Sequence, residues 1–363
     1  MKPKKERLVI KVGTSVLTQS NQKLDYNVIH QIVEQIGTLR AEGHQVLLVS
    51  SGAAGASHGL ADFASQHRSL VRKQLMTAVG QPRLMSVYTD FFREHQITVA
   101  QALLTRHDFG DRERYLGIRN VMEGLLELDV LPILNENDVV ADEALTFGDN
   151  DYLAAAVAPT ISANRLFLLT VGDGFYAGGD PKENPSAKLL HEVAEITQAM
   201  WESCQATLSR GGSGGMLSKL KAADMATSFG IETHIVSGKV PNIVLKVMNG
   251  ERHGTRFLPT VAKRLKGYRQ WLRFGALTNG RIYIDAGAEK ALANNKSLLP
   301  AGISRAEGTF QPGDVVEIFG AGEEKLGVGL INFSADDLNA MLAGTREVAR
   351  STEAIHKDRL LLA

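Results

Sequence analysis

The sequence predicts an α/β fold built on a parallel sheet, followed by a small β-rich domain. Three observations predict it. Apolar runs such as Leu8–Val12, Val46–Val49, Thr98–Leu104, Val130–Leu134 and Arg165–Val171 have the length and composition of strands. Segments of helical spacing separate them, and strand–helix–strand joined by right-handed crossovers gives a parallel sheet. Beyond residue 275, short runs at Arg281–Ile284, Val315–Ile318 and Gly327–Ile331 lie between Gly and Pro turns, the pattern of a compact β domain.

Composition narrows the function. The 363 residues are enough for two domains, and 44% hydrophobic with 22% charged is ordinary for a globular chain. Lys plus Arg equals Asp plus Glu at 40 each, so the whole molecule offers no field for nucleic acid or a membrane surface. The one cysteine, Cys204, excludes an internal disulfide and is expected to be inert. No run of about 18 apolar residues is present, and the basic start Met1–Arg7 leads straight into a strand, so a cytoplasmic protein is expected.

The first strand carries Lys11 and ends in Gly13-Thr14-Ser15. A lysine in an apolar strand either snorkels from an edge or faces a ligand, and the glycine turn beyond it favours the ligand. Residues 25–42 space Val28, Ile29, Ile32, Val33, Ile36 and Leu39 along one helical face, with Gly43 as the stop. The second strand ends in Ser50-Ser51-Gly52-Ala53, small hydroxyl-bearing residues on the side where open α/β sheets hold ligands. Residues 69–95 read as two helices broken near Gly80-Gln81-Pro82. Asp108-Phe109-Gly110 imitates the magnesium motif of protein kinases, but no His-Arg-Asp loop accompanies it. Arg112–Leu128 reads as a helix leading to the next strand.

The stretch Asn135–Asp151 then packs amides and carboxylates behind a strand. Asp138 and Asp149 can accept from an ammonium group, and Asn135 and Asn150 can donate to a carboxylate, a mixture that suits a small zwitterion. The same residue types also make Asx-capped turns. An Ala-rich helix, Tyr152–Ala158, follows. Gly172-Asp-Gly-Phe-Tyr-Ala177 resembles a dinucleotide fingerprint, but Gly178-Gly179-Asp180-Pro181 would stop the helix that fingerprint needs. Gly211–Lys219 is a glycine loop entering a helix over Met216–Phe229. It reads either as a linker or as a phosphate cradle, and Lys219 one turn into the helix favours the cradle. Residues 261–273 carry Lys263, Arg264, Lys266, Arg269 and Arg273 with no acid, marking an inter-domain segment.

Six ordered motifs carry a resemblance. Lys-Val-Gly-Thr-Ser (11–15), Ser-Ser-Gly-Ala (50–53), Leu-Leu-Thr-Arg (103–106), Asn-Glu-Asn-Asp (135–138), Phe-Gly-Asp-Asn-Asp (147–151) and Gly-Gly-Met-Leu-Ser-Lys (214–219) together resemble the glutamate 5-kinases of the amino-acid kinase family. The tail is similar to a PUA domain. The resemblance implies a three-layer αβα sandwich with a mainly parallel sheet over residues 1–260, a basic linker at 261–274, a PUA domain at 275–350 and a tail at 351–363. It implies ATP-dependent phosphorylation of the side-chain carboxylate of L-glutamate with Mg2+, the first step of proline biosynthesis, inhibited by proline.

The resemblance also assigns residues. Lys11 and Lys219 would neutralise the transferring phosphoryl group, and Asp151 would orient both. Ser51, Gly52, Ala53, Asn135, Asp138, Asp149 and Asn150 would hold glutamate. ATP would meet Gly13, Thr14 and Ser15, then Thr170 and Val171, and the loop residues Ser213, Gly214, Gly215, Met216, Leu217 and Ser218 beside Lys219. A homo-oligomer (dimer or tetramer) and a downstream glutamyl phosphate reductase are the implied partners.

Three positions depart from the family pattern. Val171 stands where an aspartate is usual, Ala54-Gly55-Ala56-Ser57 replaces a hydrophobic-Ala-Ala-Gly run, and the glycine loop has Ser213 for threonine. None touches Lys11, Lys219 or Asp151. A relative acting on aspartate or carbamate is the rival enzyme reading. An RNA-binding role is the rival outside enzymes, and residues 275–363, with 9 basic and 12 acidic side chains (9 − 12 = −3), argue against it.

Overall fold

A computed structural model describes residues 5–57, 69–140, 150–209, 215–259, 278–345, 347 and 352–362. The chain divides into two compact units. Through residue 259 the elements run β1 (Arg7–Val12), α1 (Thr14–Leu17), α2 (Tyr26–Ala41), β2 (Gln45–Ser50), α3 (Ala53–Ala56), α4 (Ser69–Glu94), β3 (Val99–Leu104), α5 (Arg106–Gly110), α6 (Arg112–Glu127) and β4 (Leu131–Glu136). Then follow α7 (Asn150–Thr160), β5 (Arg165–Thr170), β6 (Tyr176–Ala177), β7 (Lys188–Leu189), β8 (Glu192–Val193), α8 (Gln198–Ser209), α9 (Gly215–Ser228), β9 (Glu232–Ser237), α10 (Ile243–Met248) and β10 (Thr255–Phe257).

The main sheet has the order β3-β4-β2-β1-β5-β9-β10-β8. Its pairs from β3 to β9 are all parallel, and β10 runs antiparallel to β9. The pleat of β1 sends alternate side chains to opposite layers. Leu8, Ile10 and Val12 join one core with Ile29, Ile32, Val33, Ile36 and Leu39 of α2 and Leu84, Tyr88 and Phe92 of α4. Lys11 points the other way, toward α7, whose Leu153 to Ala158 are buried against the sheet. The α9 helix packs beside α7. The chain turns from β1 to β2 on one side and later crosses back to β5 on the other, so the carboxyl ends of β1, β2 and β5 flank a topological switch point.

Residues 69–95 are not the two helices expected. Ser69–Glu94 is one helix with Pro82 inside it. Gly80 is there for packing: a Cβ on it would lie 1.7 Å from the Ala53 carbonyl oxygen. An internal proline removes one helical hydrogen bond. Burial of Leu84, Tyr88 and Phe92 behind it outweighs that loss. Two boundaries also shift. β4 runs on through Asn135 and Glu136, and α7 starts at Asn150 and continues to Thr160.

From residue 278 a second unit forms around β11 (Thr278–Ile284), α11 (Ala286–Ala293), β12 (Ile303–Gly308), β13 (Val315–Phe319), β14 (Lys325–Leu330), α12 (Ala335–Leu342) and β15 (Leu360–Leu362). Its sheet order is β12-β11-β13-β14-β15. Ile282, Ile284, Leu298, Val316, Ile318 and Leu338 form its own core. Strands β12 and β15 were not legible as runs because β12 reads Ile-Ser-Arg-Ala-Glu-Gly, mostly polar and exposed. The expected basic linker at 261–274 lies outside the described residues.

Candidate active site

Lys11, Asp151 and Lys219 meet at the switch point. Lys11 Nζ lies 2.6 Å from Asp151 Oδ1, and Lys219 Nζ lies 3.0 Å from Asp151 Oδ2. Asp151 is fully buried and Lys11 only 2% exposed, so this pairing takes place away from water. An isolated ammonium at that depth would be very costly, which excludes the edge-strand reading of Lys11. The β1 strand presents Lys11 because the pleat puts position 11 opposite the apolar positions 10 and 12. Asp151 stands in the first turn of α7, where the helix dipole favours a carboxylate. Lys219 lies one turn into α9 and its ammonium turns back to donate to the Gly215 carbonyl at 3.0 Å. Ser218 completes the cluster by donating to Asp151 Oδ2 at 2.8 Å.

An amide chain runs beside it. Asn150 Nδ2 donates to Ser51 Oγ and to Asn135 Oδ1, each at 2.8 Å, and Asn135 Nδ2 donates to Gln81 Oε1 at 2.8 Å. Thus residues from the ends of β2, β4 and α7, with one from α4, are locked into a single polar array. Gly52 enters α3 at φ +98°, a conformation that glycine takes without strain and that turns the chain after Ser51.

Two cavities open on these groups. The smaller, about 230 Å³, is lined among others by Gly52, Ala53, Lys73, Asn135, Asp138 and Asn150. The larger, about 720 Å³, is lined by Lys11, Lys219, Gly13, Ser15, Thr170, Val171, Gly215 and Met216. Thr14 and Ser51 line both. The cavities therefore meet beside the lysine–aspartate cluster. A cavity of 230 Å³ lies below the usual range for drug-sized ligands, about 300–1,000 Å³, and suits a small metabolite.

The expected site residues fall as follows. Ser51, Gly52, Ala53, Asn135, Asp138 and Asn150 gather at the small cavity. Gly13, Thr14, Ser15, Thr170, Val171, Gly215 and Met216 gather with Lys11 and Lys219 at the large one. Leu217 and Ser218 line neither, and Ser218 serves Asp151 instead. Gly13 departs from its expected part as an anion-binding amide. Its N–H donates to the Leu169 carbonyl at 3.3 Å, while Thr14 and Ser15, the first residues of α1, line the cavity. Asp149, Ser213 and Gly214 lie outside the described residues. Val171 is 54% exposed in the cavity wall, and its carbonyl is its polar group there.

Four residues at the small cavity escaped the sequence reading. Lys73 and Thr77 line it from α4, Glu136 lines it from the last position of β4, and Gln81 anchors Asn135 behind it. Lys73 lies in a stretch that read only as helix, with no motif around it. Gln81 was hidden between a glycine and a proline that read as a break. The adjacency of Glu136 to Asn135 was the one available signal. Cys204 lines the large cavity, and burial pushes its thiol up to about 11, so it is inert at neutral pH. Asp108 accepts from the amide and hydroxyl of Thr105, a local cap at the start of α5.

Comparison with known proteins follows the same division. The model of the amino acid kinase family matches residues 6–237, and that of the PUA domain matches residues 280–352. The chain is 41% identical to a glutamate 5-kinase of Dehalococcoides mccartyi, with 98% of each chain covered. It is 39% identical to one from Deinococcus radiodurans, over 98% of this chain and 99% of that one. Among solved structures it is similar to carbamate kinase from Giardia lamblia, with a TM-score of 0.51 and 18% identity over 70% of this chain and 98% of that one. An isopentenyl phosphate kinase matches with a TM-score of 0.50 and 20% identity, over 69% of this chain and 99% of that one. These two likenesses concern the fold alone.

Proposed function

The chain belongs to the amino acid kinase family, with curated glutamate 5-kinases among its full-length relatives, and we propose that it transfers the γ-phosphoryl group of ATP to the side-chain carboxylate of L-glutamate. The observation that carries this reading is Asp151 holding Lys11 and Lys219 where the two cavities share Thr14 and Ser51. ATP occupies the large cavity, glutamate the small one, and the reacting atoms meet between them.

The chemistry asks little of the protein beyond placement and charge. A glutamate carboxylate has an ordinary pKa of about 4.3, so the nucleophile is ionised near neutrality and needs no general base. In-line transfer concentrates negative charge on the phosphoryl oxygens, and two ammonium groups answer it. Each ammonium has three donors. Asp151 pairs with both lysines and holds their stems in place, Lys219 spends a second donor on the Gly215 carbonyl, and the remaining donor capacity is directed to the phosphates. The amides of Thr14 and Ser15 add donors at the start of α1. Thr170 and Val171 meet the nucleotide through the backbone, and Gly215 and Met216 meet it at the start of α9, with Ser213, Gly214 and Leu217 assigned as further nucleotide contacts. Ser51, Gly52, Ala53, Asn135, Asp138, Asp149 and Asn150 hold glutamate.

Among the described residues no group of three or more His, Cys, Asp or Glu side chains could hold a metal ion. The cluster of lysines and amides is made for phosphate oxygens. Magnesium would come with the nucleotide and would supply neutralisation of phosphate charge beside Lys11 and Lys219. The product acyl phosphate is labile to water and is passed to a reductase. We place the enzyme in the cytoplasm as a homo-oligomer, inhibited by proline at the glutamate cavity. No described helix is long and apolar enough to cross a membrane.

The test is ADP release by the purified full chain with ATP, Mg2+ and L-glutamate, the acyl phosphate being trapped as hydroxamate. Glutamate-dependent ADP and hydroxamate are expected, with suppression by proline. Turnover of aspartate or carbamate in place of glutamate would move the reading to another branch of the family.

A further inference from the structure

In the small cavity, Lys73 Nζ lies 2.8 Å from Asp138 Oδ1. Lys73 is half exposed on α4, while Asp138, just past β4, is 11% exposed. Both residues line this cavity and neither lines the large one. Among the described residues that line the small cavity, Lys73 is the only lysine or arginine. We propose that Lys73 is a specificity-determining residue that binds the α-carboxylate of the substrate while Asp138 binds its α-ammonium. The inference rests on the glutamate reading and deepens it.

An α-amino acid carries an ammonium and a carboxylate on one carbon. A lysine and an aspartate one hydrogen bond apart face that carbon with the complementary pair. The acceptor carboxylate must reach Thr14 and Ser51, which border the nucleotide cavity, so the head group is left at the other lining residues. Asn150 and Asn135 are neutral amides, part of whose donor capacity goes to Ser51, to Asn135 and to Gln81, so they can add hydrogen bonds to the substrate but no charge. A full counter-charge for the α-carboxylate has to come from a cation, and Lys73 supplies it.

The ion pair seen without substrate is the resting form of the same site. Each group holds the other until the zwitterion enters, and then one contact is exchanged for two charge-assisted ones. Lys73 is suited to this exchange because its long stem is half in solvent, so its head group moves without leaving water behind. Because its lysine end is half in solvent, the pair is screened and adds little to stability by itself. Its placement in the cavity is therefore better explained by recognition.

The experiment separates the head-group charges by substrate analogue. Glutarate keeps both carboxylates and lacks the ammonium; 4-aminobutyrate keeps the acceptor carboxylate and the ammonium and lacks the α-carboxylate. The KM of glutamate and the inhibition constants of both analogues against it are measured at saturating ATP for the full chain, Lys73→Met and Lys73→Arg. Lys73→Met is expected to weaken glutamate and glutarate by about 10- to 100-fold, the scale of a hydrogen bond to a charged group, with kcat little changed. It is expected to leave 4-aminobutyrate within about twofold, and Lys73→Arg recovers most of the loss. Equal weakening of 4-aminobutyrate and glutamate, or no weakening of any, would overturn the assignment while leaving the kinase reading intact. Absence of glutamate-dependent ADP release by the unmodified chain would overturn both.

Discussion

Asp151 forms an ion pair with Lys11 through one carboxylate oxygen at 2.6 Å and accepts hydrogen bonds from Lys219 and Ser218 on the other. Lys11 is thus fixed by a group on a different element, and its position depends on α7 being seated on the sheet.

Replacing Asp151 with Asn keeps the shape and removes the charge between two buried lysines. Stability is expected to fall by about 3–5 kcal/mol, the usual result of breaking a buried pair. Turnover is expected to fall by about 100-fold or more. Adding Lys11→Met to that variant should restore much of the melting temperature and none of the activity. Recovery of activity in the double variant would show that Lys11 has no part in transfer.

Lys219→Ala removes a charge that acts mainly in the transition state. A drop in kcat of about 100- to 1,000-fold is expected with the KM of glutamate little changed. Steady-state kinetics with each substrate varied in turn would check it, and an effect confined to KM would contradict the role.

Gln81→Leu leaves the Asn135 amide without its 2.8 Å acceptor. An unsatisfied buried donor costs about 1–3 kcal/mol. Because Asn135 also holds Asn150, the same variant should raise the KM of glutamate and leave that of ATP alone. A denaturant midpoint together with the two KM values tests both halves.

Gly80→Ala puts a methyl group 1.7 Å from the Ala53 carbonyl. Either α4 or α3 must shift, at about 1–3 kcal/mol for overpacking. Since Ala53 lines the small cavity, glutamate binding should weaken with stability. A fully stable variant with a normal KM would mean that the two helices can separate freely.

Acid sensitivity should trace to Glu232 and His234, 2.8 Å apart at the start of β9. Burial opposes ionisation of Glu232, but hydrogen bonds from His234 and Arg256 and the charge of Arg165 bring it down to about 2, from an ordinary 4.5. Burial also lowers His234 from 6.5, partly offset by Glu232. Both folded-state values are depressed, so both contributions are present above the unfolded values and are lost as pH falls. His234 acts first, from about 6.5 downward, and Glu232 between about 4.5 and 2. Melting temperatures over that range should flatten in the lower window for Glu232→Gln and in the upper window for His234→Phe.

Much of this was legible in the sequence because it depends on local rules. The strand at Leu8–Val12 and the helix capped by Asp25 and stopped at Gly43 announce themselves by period and punctuation. Lys11 drew notice because a lysine breaks an apolar run, and Lys219 because it follows glycines into a helix. That both would meet one carboxylate was not written in either segment; the resemblance implied it, and the sheet order brings it about. Gly80 misled because a glycine beside a proline signals a break locally, while the real reason for it is the distant Ala53. Lys73 was illegible for a similar reason, since nothing near it in sequence reveals that Asp138 lies across the cavity.

The central position of Lys11 has a consequence for how the chain is made. It leaves the ribosome on the first strand, and its counter-charge arrives only with the helix preceding β5. Until then the ammonium near the carboxyl end of β1 lacks Asp151, and burying it there would be unfavourable. The centre of the sheet is therefore expected to stay open during synthesis until α7 docks. Nascent chains stopped before residue 151 should remain protease-sensitive at β1, and longer ones should become protected.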